Sequence, residues 1–434
     1  MSDYLPTVIL PGIGQSFVEM VDENGKKIKN AWPLSISKDL VMEKIKKPLA
    51  KMMLLRRDAG FSEAVAQIAA ETVDPLAINP DGRTKHRLRP RRFDVPASEY
   101  PEEDRKRLYR MVPMQGLAEI IGEDKLFFFA YNSFGDLPSL VDELNAFIKN
   151  AKARTGADKV NLLPVSLGGV LMNAYFDKYL GEGDVHRVVN IVAASGGTSV
   201  VADVLAHEVE PAEAAQIASI ISRGAVEKAK TLMKTVPSAV VEKTMHAAID
   251  AAVQKVCVNS TVTWGAVPGS RYAALERRYL SDGRHEHVRA CAARMAEIHN
   301  NYPAFVKKIT DSGVQIFNLC GYGLQLLPLI KTKTVTSDGM IDTALSSMGA
   351  YCAPLGKKFA PGYKPKNDGV TGAVSPDGRI DASACALPDT TWLFSDQEHE
   401  AIADNKKAIS LAVKLLTDDG FASVHDDPEY PRFS

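Results

Sequence analysis

Val160-Asn-Leu-Leu-Pro-Val-Ser-Leu-Gly-Gly169 carries an apolar strand into a turn of small residues, and Val170-Leu-Met-Asn-Ala-Tyr-Phe-Asp-Lys-Tyr-Leu180 continues with helical periodicity. Strand, sharp turn and helix are the local plan of an α/β fold, and a serine at the apex of such a turn has an exposed hydroxyl. The pattern x-Ser-x-Gly-Gly suits a nucleophile. Gly168 lets neighbouring backbones approach, and the helix N-terminus offers N–H groups to a developing oxyanion. Pro164 stands where the pattern G-x-S-x-G has its first glycine, so an ordinary strand–helix turn containing a serine is the competing reading.

Other short apolar runs repeat the form: Thr7–Leu10, Leu126–Tyr131, Val188–Ala193, Gln315–Leu319 and Thr391–Phe394. Continuous apolar runs of this length suit strands buried on both faces, as in a mainly parallel, doubly wound sheet. Glycine turns follow several of them, at Pro11–Gly14, Ser195–Thr198 and Gly321–Gly323. Ligands of open parallel sheets bind at such carboxyl ends of strands. The 434 residues read as one domain, 1–434, with cap insertions at about 32–122 and 200–302. The second insertion is helical by pattern, with Ala-rich stretches at His207–Ile221 and Ala225–Ala252. Ala350–Pro388, rich in Gly and Pro, reads as a long ordered loop.

Composition narrows the function. Lys+Arg number 52 against 53 Asp+Glu, which is not the basic footprint of a nucleic-acid binder. No stretch of about 18 uncharged apolar residues predicts a spanning helix, and the start lacks the pattern of a signal peptide. Five cysteines, an odd set, read as reduced thiols of a cytoplasmic protein. Cys352 and Cys385 are the pair whose related contexts leave a disulfide open. No HExxH, CxxC or EF-hand pattern predicts a metal, and no G-x-G-x-x-G follows a strand, so no cofactor is expected.

A serine nucleophile needs a base and an orienting acid. Of nine histidines, His86, His186, His207, His246, His285, His287, His299 and His425 lie in helical or charged segments and read as surface groups. His399 differs: it follows the strand run Thr391–Phe394 and precedes an amphipathic helix from about Asn405 to Leu416. The acid is expected between Ser166 and His399, at Asp338, with Asp377 and Asp342 in similar loops as open alternatives. Gly12 and Gly14 leave room for the Ile13 N–H to share an oxyanion with that of Leu167. Ser133-Phe-Gly135, after another strand run, is a rival elbow with one glycine fewer.

Together these pieces resemble the lecithin:cholesterol acyltransferase-like and lipase-like α/β-hydrolases: Val8-Ile-Leu-Pro-Gly-Ile-Gly14, Trp32-Pro33, Phe129-Ala-Tyr-Asn132, Val165-Ser-Leu-Gly-Gly169, Ser337-Asp-Gly-Met-Ile341 and His399 before a terminal helix. They occur in the family's order over almost the whole chain. The resemblance implies an α/β-hydrolase core with helical caps, nucleophile Ser166, acid Asp338, base His399 and an oxyanion loop at Ile13. The implied activity is hydrolysis of carboxylic, lipid-like esters through an acyl-enzyme. An acyltransferase with an alcohol acceptor and an inactive binding protein on the same fold are the alternatives. The basic run Arg83–Arg92 reads either as peripheral contact with an anionic membrane surface or as a solvated loop neutralised by the acidic stretch after it. Leu324–Ile330 reads as core or as acyl-pocket lining.

Overall fold

The computed structural model describes residues 4–112, 115–209, 236–327 and 334–434. At its centre lie six strands: β1 (Thr7–Leu10), β2 (Leu126–Phe128), β3 (Val160–Pro164), β4 (Val185–Ile191), β5 (Gln315–Tyr322) and β6 (Thr391–Ser395). Their spatial order is β6-β5-β4-β3-β1-β2, and every neighbouring pair is parallel. The fold is therefore α/β around a parallel sheet. The chain leaves β1 towards one edge and β3 towards the other, so the topological switch point falls between the carboxyl ends of β1 and β3.

Helices cover both faces, which is why the strands are apolar throughout. Val8 and Leu10 pack into one layer with α3 (Leu137–Thr155) and α4 (Gly168–Tyr179). Ile9 faces the other layer, with α7 (Lys406–Thr417). All three are fully buried, and each such side chain contributes roughly 1.5–3 kcal/mol. Asn190, Asn318 and Thr391 are register partners on β4, β5 and β6. Asn190 Nδ2 donates to Asn318 Oδ1 at 3.0 Å, and Asn318 Nδ2 donates to Thr391 Oγ1 at 3.2 Å. In an apolar sheet, this polar ladder penalises any slip of register. Buried Arg187 on β4 donates to the carbonyls of Leu415, Asp418 and Asp419, satisfying the C-terminal end of α7.

Strand runs and elements differ at their ends. The run to Tyr131 stops pairing at Phe128, whereas β4 begins before Val188 and β5 extends to Tyr322. Between residues 11 and 125, α1 (Lys38–Leu55) and α2 (Phe61–Val73) accompany a small antiparallel sheet of Val18–Val21, Lys27–Trp32 and Leu88–Pro90. Its middle stretch, Lys27-Ile-Lys-Asn-Ala-Trp32, is mostly exposed and carries no apolar alternation to betray it. From the other insertion come α5 (Ser199–Ala206) and α6 (Ser238–Ala252). α6 packs along α2, with Ser62 Oγ and Thr244 Oγ1 2.9 Å apart. The helical readings over 210–235 and the end of the apolar run, 328–330, lie outside the described residues.

Most of the basic run is paired with acids of the same chain. Lys85 and His86 pair with Asp74, Arg89 with Glu19, Arg91 with Asp104 and Arg92 with Glu143. All five cysteines are free thiols. Cys352 and Cys385 share an apolar cluster with Cys320, where burial pushes the first two thiols up to about 12. Among the described residues, no helix is long and apolar enough to cross a membrane.

Candidate functional site

The turn between β3 and α4 begins with a break in the ladder. β3 pairs with β4 at Leu162 and again through the bridge Val165–Ile191, and Pro164, which has no N–H to donate, falls in the gap. Ser166 N–H then donates to Ile191 O at 3.2 Å and Val165 N–H to Leu10 O at 2.9 Å. These bonds hold Ser166 at φ 52°, a left-handed conformation costly for a residue with a side chain. Such strain at the head of a helix lifts the hydroxyl out of the turn. Gly168 makes the geometry feasible: a Cβ there would lie 2.2 Å from Leu10 O.

His399 follows β6 and brings its ring to that hydroxyl. Its Nε2 is 2.9 Å from Ser166 Oγ and its Nδ1 is 2.8 Å from Asp338 Oδ2. The Asp338 side chain is fully buried. Its other oxygen accepts the N–H groups of Met340 and Ile341 at 2.9 and 2.7 Å. Burial alone would lower the basicity of His399. The Asp338 charge and hydrogen bond outweigh it and hold the imidazole pKa above its ordinary 6.5. A carboxylate on Nδ1 also selects the tautomer that leaves Nε2 free to accept a proton.

The other candidates are placed elsewhere. Asp342 accepts the N–H and the hydroxyl of Ser199 at the start of α5, at 2.9 and 2.7 Å. Asp377 is tied to Arg379 Nε and Ser375 Oγ. Ser133 is buried and has no histidine partner among the described residues. Two histidines assigned to the surface are interior instead. His285 is buried with Nδ1 on Asp282 and Nε2 on Asn259. His299 approaches the Val267 carbonyl, and burial pulls its pKa to about 4. Helical periodicity conceals both, because each sits near one end of the helix Glu286–Asn300, turned inward.

Beside the serine runs the turn after β1. A Cβ on Gly12 would fall 2.9 Å from Ser166 Cβ and 3.4 Å from its Oγ, so glycine is what admits the two turns to each other. The loop is pinned at several atoms. Gln15 Oε1 accepts Gly12 N–H at 2.6 Å, Trp32 Nε1 donates to Gly14 O at 2.9 Å, and Tyr131 OH donates to Pro11 O at 2.7 Å. The N–H groups of Ile13 and Leu167 have no acceptor among the described residues, and Ile13 is solvent-exposed. Tyr131 stood in the Phe129–Asn132 piece without a role, and Gln15 and the approach of Gly321, where a Cβ would lie 2.7 Å from Asp338 Cβ, were not singled out from the sequence. Only the two glycines of Gly321-Tyr-Gly323 hinted at the last. Among the described residues, no group of three or more His, Cys, Asp or Glu is arranged to hold a metal ion.

The arrangement can move a proton from a strained serine hydroxyl to a histidine backed by a buried carboxylate. No protein-family model and no curated protein matches the chain. Among solved structures, the crystal structure of a Tle4-Tli4 complex aligns with 74% of this chain and 75% of that one, at 11% identity and a TM-score of 0.33.

Proposed function

We propose that the chain is a serine esterase of the α/β-hydrolase type, acting on carboxylic esters of lipid-like character. One observation carries the reading: Ser166, held at φ 52°, has its Oγ 2.9 Å from a histidine whose far nitrogen meets a buried aspartate. His399 Nε2 takes the hydroxyl proton as Ser166 Oγ attacks the ester carbonyl carbon. The N–H groups of Ile13 and Leu167 receive the negative charge on the carbonyl oxygen. The protonated His399 then gives its proton to the departing alkoxide, leaving an acyl-enzyme and an alcohol. Water, deprotonated by the same Nε2, attacks the acyl carbon, and the imidazolium returns that proton to Ser166 Oγ as the acid leaves. The switch point between β1 and β3 supports the site, since ligands of open α/β sheets bind there.

A fluorophosphonate probe, with the modified peptide located by mass spectrometry, tests this directly. Labelling at Ser166 that His399→Ala abolishes is the expected result. Labelling at Ser133 would overturn the site, and no labelling under any condition would overturn the enzyme and leave a binding protein.

A further inference from the structure

Eight large hydrophobic side chains stand exposed among the described residues, and four of them belong to α1: Met42, Met53, Leu54 and Leu55, at 56%, 54%, 82% and 48% exposure. The helix is seated by its other side. Ile45, Leu49 and Met52, spaced four and three apart, pack against Phe61, Val65 and Val240 of α2 and α6. At 100° per residue, Leu54 falls opposite that seated face, with Lys47 and Lys51 to one side of it.

The segment is also basic. Residues 38–57 hold seven Lys and Arg against two acids, Asp39 and Glu43. Lys44 pairs with Glu71. Lys38, Lys46, Lys47, Lys51, Arg56 and Arg57 have no ion-pair partner among the described residues. The contrast with Arg83–Arg92, whose cations are mostly paired internally, is direct. A helix with an apolar tip, unpaired cations beside it and a packed opposite face has the makeup of an element dipping its end into an anionic lipid interface.

We propose that α1 docks the protein on a bilayer bearing anionic phospholipids, with Met53, Leu54 and Leu55 entering the headgroup–acyl boundary and Lys46, Lys47, Lys51, Arg56 and Arg57 at the phosphates. The inference deepens the lipid-ester reading by naming the surface from which substrate is drawn. α2 links the two: its end carries Val73 and the adjoining Leu76 against Trp32, whose indole N–H holds the Gly14 carbonyl of the loop beside Ser166.

The test needs no turnover, so it stands apart from the test of the esterase. Full-length Ser166→Ala protein is sedimented with phosphatidylcholine vesicles, with and without phosphatidylglycerol, in low and moderate salt. Expected are binding to the anionic vesicles alone and a loss of about tenfold or more in both Leu54→Glu and Lys46→Glu/Lys47→Glu. Both variants should keep the parent's unfolding temperature, because the altered side chains face solvent. Several outcomes would overturn the proposal: no binding by the parent, equal binding to neutral vesicles, or binding indifferent to these variants. A parent dimer that Leu54→Glu dissolves would do so too, by assigning the face to a second copy of the chain.

Discussion

His399 grips Asp338 twice: its main-chain N–H donates to the Asp338 carbonyl oxygen at 2.8 Å, and its ring Nδ1 lies 2.8 Å from Asp338 Oδ2. The backbone bond fixes the loop, so changing the carboxylate alters charge and tautomer more than position.

Asp338→Asn is therefore expected to leave the fold intact while lowering kcat on a chromogenic ester by about four orders of magnitude, as for the triad template. The pH profile adds a sign. His399 must be neutral to accept a proton, and its pKa lies above 6.5, so kcat/KM should fall as pH drops through that raised value. Without the Asp338 charge, the residual activity should keep its acid limb at lower pH. An unmoved limb would show that His399 is not the titrating base.

Gly12 and Gly168 separate activity from stability. A methyl on Gly12 meets Ser166 itself, whereas one on Gly168 meets the Leu10 carbonyl at 2.2 Å. Gly12→Ala should reduce esterase kcat at least tenfold with a modest shift in Tm. Gly168→Ala should destabilise the fold by about 3 kcal/mol through overpacking, read from urea unfolding.

The two remaining aspartates give a contrast. Asp342→Ala removes the acceptor at the start of α5 and is expected to cost about 1 kcal/mol. Asp377→Ala frees Arg379. Neither should change kcat more than about tenfold against four orders for Asp338→Asn; a larger loss in either would move the acid away from Asp338.

Thiol titration should be slow at pH 8 in the folded protein. Burial pushes Cys257, Cys291, Cys352 and Cys385 to about 12, which leaves little reactive thiolate. Unfolded protein should release five titratable thiols, matching the free set; three would reveal a disulfide.

What the sequence disclosed follows the range of each signal. β1, β3 and β6 were legible because a strand buried on both faces must be apolar residue after residue, as Thr7–Leu10 is. Ser166 and His399 stood out by their positions after such strands, and Asp338 did so only beside Asp342 and Asp377. Other features depend on partners distant in sequence. Nothing near Asp342 announces that Ser199, 143 residues away, will occupy it. The small sheet around Lys27–Trp32 pairs solvent-facing residues, so it writes no apolar pattern. The acidic stretch after Arg83–Arg92 supplies Asp104 as expected, but Asp74 and Glu19, which also pair with the run, come from earlier in the chain.

The wide spacing of the triad also sets an order of events during synthesis. Ser166 and His399 are 233 residues apart, and His399 sits just past β6, the last strand of the sheet, which pairs with β5 on one side and bridges to Phe433 on the other. A nascent chain can complete β1, β3 and the strained turn while its base is still inside the ribosome. On the proposed roles, the growing polypeptide carries a folded but inert serine, and its chemistry switches on only when the final strand docks.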